Sequence, residues 1–79
     1  MSSYLIQVLG PGCPKCAKLK QNADEAVAEL GVDATVEKIE DIMQITSFGV
    51  MMTPALVING EVKLVGKVAS VDDIKKLLA

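Results

Sequence analysis

The feature that most constrains this chain is a switch of hydrophobic period at its start. Residues Tyr4 to Leu9 form a near-continuous apolar run, the loop Gly10-Pro11-Gly12 interrupts it, and a three- and four-residue apolar spacing follows. A short apolar run reads as a strand buried on both faces. The spacing Cys16, Leu19, Ala23, Val27, Leu30 reads as an amphipathic helix whose outer face carries Lys18, Lys20, Gln21, Asp24, Glu25 and Glu29. Gly31 suits the left-handed residue that ends such a helix.

The rest of the chain continues the alternation. Asp33 to Ile39 alternates small or apolar with charged residues, as a strand near a sheet edge does. Asp41 caps a short helix over Ile42–Phe48 that Gly49 ends. Ala55 to Ile58 is a second central strand. Asn59-Gly60 predicts a tight hairpin, because a type I′ turn takes two residues of positive φ. Glu61 to Val65 returns as its partner and Gly66 breaks it. Ser70 caps the last helix, with Asp73 three residues on as a weaker capping-box partner, and Ile74, Leu77 and Leu78 face the core. The element order β-α-β-α-β-β-α predicts an α/β domain. Its first two strands are parallel across a helical crossover, its last two form a hairpin, and helices cover both faces of a four-stranded mixed sheet.

The chain has 79 residues, so the reading is one domain over residues 1–79, with an apolar half of the composition to supply its core. A net charge of −2, with basic residues spread along the chain, argues against a nucleic-acid surface. The apolar N-terminal run is too short to cross a bilayer and has no basic region before it, which predicts a cytoplasmic protein without membrane attachment. Met51 and Met52 read as flexible filler in or near the core.

Both cysteines lie in Gly12-Cys13-Pro14-Lys15-Cys16, and three uses are open to them. As a staple the pair would close a ring that removes only about 2 kcal/mol of unfolded-state entropy, and a reducing cytoplasm disfavours it. As a metal clip it lacks the four ligands zinc takes, since the chain has no histidine. A dimer sharing two pairs, or Cu(I) held by two thiolates, keeps a metal-binding module open. As a redox pair it fits the local pattern. With Cys13 at the N-cap, Pro14 takes the first helical position, where proline is favoured. Lys15 and Cys16 then present their N–H groups to the cap sulfur at the positive end of the helix. Lowering a thiol pKa from about 8.5 to about 7 raises the thiolate fraction roughly sixteenfold. The accompanying loss of nucleophilicity cuts the net gain to about three- or fourfold. The larger advantage of the spacing is a second thiol held ready one turn away.

CPKC after a first strand, the segment Val50-Met51-Met52-Thr53-Pro54-Ala55-Leu56-Val57-Ile58, then Asn59-Gly60 and the late Gly66 together resemble the thioredoxin-like family over essentially the whole chain. The nearest likeness is to its small, glutaredoxin-sized redox-active disulfide proteins of archaea and bacteria. The resemblance implies a thioredoxin-like fold and a protein-disulfide oxidoreductase. Cys13 would be the attacking thiol, Cys16 the resolving thiol, and Pro54 a cis-proline. Gly12, Met52, Thr53 and Gly66 would line the groove where an extended substrate strand docks, while stabilisation of the thiolate at Pro14 and Lys15 is expected from their place at the helix start rather than from the resemblance. The resemblance also implies a redox-active Cys13–Cys16 disulfide in place of any cofactor, protein disulfides as substrates, a thioredoxin-reductase-like reductant, and a monomer. Gln7 stands where thioredoxins carry a buried strand aspartate. A thioredoxin-fold domain that binds a partner without catalysis is the remaining alternative.

Overall fold

The computed structural model describes residues 3–11 and 14–78. The elements run β1 (Ser3–Leu9), α1 (Pro14–Leu30), β2 (Asp33–Ile39), α2 (Ile42–Ser47), β3 (Ala55–Ile58), β4 (Glu61–Val65) and α3 (Val71–Leu78). The strands form one sheet in the order β2-β1-β3-β4. β1 and β2 pair in parallel from Ser3↔Asp33 to Leu9↔Ile39. β3 lies antiparallel to β1, with Leu9 opposite Ala55, and antiparallel to β4. The mixed sheet and its three helices have the thioredoxin-like architecture.

The element ends follow from local chemistry. Gly31, at φ +65, donates its N–H to the carbonyl of Val27 at 3.0 Å and closes α1. Asp41 caps α2 by accepting from the N–H of Met43 at 2.9 Å. Asn59 and Gly60, at φ 53 and 81, make the hairpin turn. Asn59 also ties that turn to β1: its N–H donates to the Leu5 carbonyl, and its Oδ1 accepts from the Leu5 N–H. Ser70 Oγ accepts from the N–H of Asp73 at 3.2 Å and starts α3.

Side-chain alternation divides the core into two clusters. Ile6, Val8, Leu56 and Ile58 pack with Leu19, Ala23 and Ala26 of α1 and Ile74 and Leu78 of α3. On the opposite face Leu9, Ala55 and Val57 pack with Ile45 of α2 and with Val50. Tyr4 locks the ends of the chain together, its hydroxyl donating to the Leu78 carbonyl at 2.9 Å.

Two expectations need correction. β1 is not buried along both faces: Leu5 is 39% exposed and Gln7 only half-buried. The short α2 packs over Leu9 at the carboxyl end of β1, so the same face nearer its start is left without a helix. Nor are the methionines core filler. Met51 is 91% exposed and Met52 61%, because the chain anchors itself on the buried Val50 before them and Pro54 after them. The pair is left on the surface of the loop between.

Candidate active site

The carboxyl end of β1 sets the site. Its ladder with β2 finishes where the N–H of Gly10 donates to the Ile39 carbonyl at 2.9 Å. The chain then passes Pro11, and α1 begins at Pro14. Gly12 and Cys13 lie outside the described residues, and with them the proposed N-cap. Pro14 and Lys15, in the first turn, are exposed. Cys16 is completely buried and disulfide-bonded. Apolar spacing explains the burial, because Cys16 shares a helix face with Leu19 and Ala23.

Three further segments meet this turn. The loop between α2 and β3 carries the Thr53–Pro54 peptide bond, which is cis. Pro54 is buried and Thr53 half-buried. Gly66, at φ +74 just past β4, donates its N–H to the Pro54 carbonyl at 2.8 Å. The Met52 side chain lies over the bare face of Gly66, where a Cβ would stand 3.2 Å from Met52 Cε and 3.5 Å from its Sδ. Gly10 closes the circle. A methyl carbon on its Cα would overlap Cys16 Sγ, lie 2.9 Å from Cys16 Cβ and 3.9 Å from Thr53 Cβ. The structure therefore brings Cys16, Thr53, Pro54, Gly66 and Met52 together through short links.

Two residues of this arrangement carry no sequence signal for their roles. Gly10 reads as the first residue of a loop, and only the packing of strand end on helix start reveals what it touches. Asn22 reads as one more polar residue of α1. It is buried, and its Nδ2 donates to the Ala69 carbonyl at 2.8 Å. It thereby fastens α1 to the segment joining Gly66 to α3. Gln7 reaches the exposed Glu37, Nε2 to Oε1 at 3.5 Å. Among the described residues no group of three or more His, Cys, Asp or Glu side chains is gathered as a metal site.

A small mixed sheet with a disulfide-bonded cysteine in the first turn of α1, set beside a cis-proline loop, defines a thioredoxin-fold protein. The chain belongs to the thioredoxin domain family, whose profile matches residues 4–79. It is similar to a thioredoxin of Methanothermobacter thermautotrophicus, 49% identical over 74 residues that cover 94% of this chain and 96% of the relative. It is also similar to two thioredoxins of Methanocaldococcus jannaschii. One is 38% identical over 94% of this chain and 85% of the relative. The other is 35% identical over 99% of this chain and all of the relative. These homologues support a thioredoxin-type disulfide oxidoreductase. Among the described residues no helix is long and apolar enough to cross a membrane.

Proposed function

We propose that this protein is a cytoplasmic, monomeric electron carrier that reduces or exchanges protein disulfides through Cys13 and Cys16. The Cys13 thiolate attacks one sulfur of a substrate disulfide, forming a mixed disulfide and releasing the other sulfur as a thiolate that takes up a proton. Cys16, deprotonated, then attacks the Cys13 sulfur, expels the second substrate thiolate and closes the Cys13–Cys16 disulfide. Two electrons pass to the substrate. A thioredoxin-reductase-like partner returns two electrons and two protons to the protein. The cysteines carry the electrons themselves, with no bound cofactor.

The observation that carries this reading is the placement of Cys16. It is disulfide-bonded, fully buried in the first turn of α1, and linked through Gly10 to Thr53 and the cis-proline. A buried sulfur one turn into a helix suits a thiol that waits for an intramolecular step. In the proposal, Gly12, Met52, Thr53, Pro54 and Gly66 receive an extended segment of the substrate protein, Met52 and Thr53 offering backbone groups. Pro14 and Lys15 belong to the helix start that stabilises the Cys13 thiolate.

The test is reduction of insulin with dithiothreitol as electron donor. Cys13→Ser should abolish catalysis, and Cys16→Ser should leave a mixed disulfide with insulin that persists on non-reducing gels. Activity unchanged by Cys13→Ser would sink the proposal.

A further inference from the structure

Gly10 is buried, and its N–H to the Ile39 carbonyl fixes its Cα at the end of the β1–β2 ladder. It is not one of the positive-φ glycines, Gly31, Gly49, Gly60 and Gly66. The backbone at residue 10 therefore does not itself require glycine. What excludes a side chain is space: a methyl carbon there would overlap Cys16 Sγ and come to 2.9 Å from Cys16 Cβ. Real Cβ atoms essentially never approach a neighbour that closely, and neither backbone retreats easily. Gly10 directly follows β1 and is tied to β2 through Ile39, and Cys16 is fully buried on a helix packed against that sheet.

We propose that Gly10 is a positioning residue for the inner cysteine, its bare Cα forming the wall against which Cys16 Sγ is seated. This deepens the reading of the cysteine pair as a redox couple and rests on it. The two redox states depend on the wall differently. In the disulfide, the Cys16 sulfur is tied covalently and cannot swing away from an added methyl group. In the dithiol, it has its own side-chain rotation available. A side chain at residue 10 therefore disfavours the disulfide more than the dithiol.

The measurement is the exchange in which dithiothreitol is oxidised to its cyclic disulfide as the protein disulfide is reduced to the dithiol. Two electrons and two protons are transferred. Gly10→Ala should move this equilibrium toward the protein dithiol at least tenfold relative to wild type, about 30 mV for a two-electron couple. A purely structural role would lower the stability of both forms alike and leave the equilibrium in place. A ratio within twofold of wild type, or a shift toward the disulfide, overturns the proposal.

A double-mutant comparison covers the case in which Gly10→Ala is too unstable to titrate. Gly10→Ala should cost at least fivefold less in the unfolding equilibrium constant when Cys16→Ala has removed the sulfur than in the disulfide form of the natural chain. If the alanine is as disruptive without the sulfur, the wall lies elsewhere and the proposal fails. Failure of wild type to reduce insulin would instead overturn the functional reading, and the Gly10 shift would still be read on the cysteines alone.

Discussion

Asn22, on the buried side of α1, donates through Nδ2 to the Ala69 carbonyl at 2.8 Å. It is the one polar residue among the buried side chains of the described chain. The bond satisfies a carbonyl in the connection between Gly66 and α3, so the segment that ends beside the cis-proline is held from behind. Replacing Asn22 with leucine keeps the number and branching of the heavy atoms but leaves that carbonyl without its donor. An orphaned buried acceptor costs about 1–3 kcal/mol. Asn22→Leu should lower the unfolding free energy in urea by that amount, as a lower midpoint with an unchanged dependence on urea concentration. A midpoint equal to or above that of wild type would show that the carbonyl finds another partner.

Gly66 makes a different demand, one of backbone. At φ +74 an L-residue costs about 1–2 kcal/mol. Its nearest side chain is Met52, whose flexible end stands 3.2 Å from where a Cβ would be and can move aside. Gly66→Ala should therefore cost about 1–2 kcal/mol in urea denaturation, and Met52→Ala should not restore the loss. Full recovery in the double variant would place the cause in side-chain crowding.

How much of this the amino-acid sequence discloses depends on whether the controlling contact is local. Asn59-Gly60, Gly31 and Asp41 are readable because turn and cap chemistry acts over a few residues, and the structure places each at its expected junction. Contacts between elements are less accessible. Val62 and Leu64 stand two apart on β4 and by alternation belong on one face. The bulge facing Leu56 and Val57 shifts the register, so Leu64 joins the α1–α3 cluster and Val62 the α2 cluster. The site divides in the same way. Cys16 and Thr53-Pro54 announce themselves as motif, whereas Gly10 acquires meaning only when the start of α1 folds onto the end of β1. Apolar character alone misled at Met51 and Met52, because it does not say which residues of a loop the fold turns outward.

Lys75 links the two helices that share a sheet face. Its Nζ donates to Glu29 Oε1 at 2.9 Å, joining α3 to α1. This hydrogen bond, then the charge of Glu29, raises the Lys75 pKa above its ordinary 10.5, with burial acting weakly against them and Asp72 adding to them. A folded-state pKa above the unfolded one means the contribution is fully present below the unfolded value and is lost as pH rises through the folded one. The melting-temperature difference between wild type and Lys75→Met should stay constant from about pH 6 to pH 9 and shrink above about 10.5. It should be small and should fall with added salt, as for other exposed pairs. A difference that grows at high pH would contradict the assignment.

Met51 and Met52 give the most direct test of how a substrate protein is held. Apolar side chains this exposed are otherwise few in the described chain: Ile42, Met43 and Val65 are the other large ones besides Leu5. The topology gathers these three at one end of the sheet with the methionines. β1 and β2 run toward that end in parallel, α2 starts from it, β3 begins there opposite Leu9, and Val65 sits there opposite Ala55. Leu5, further back along β1, is the exception. Methionine suits such a surface, since its unbranched, polarisable side chain adapts to partners of different shape. Covering one on binding is worth about 1–2 kcal/mol, or roughly tenfold in affinity. A Met51→Ser/Met52→Ser variant should therefore raise the KM for insulin about tenfold or more at nearly constant kcat. Reaction with 5,5′-dithiobis(2-nitrobenzoic acid), too small to span the surface, should change less than twofold. Because the side chains are exposed, urea stability should not fall. Equal losses on the large and the small disulfide would mean that the methionines act on the cysteines rather than on the partner, and the docking role would have to be abandoned.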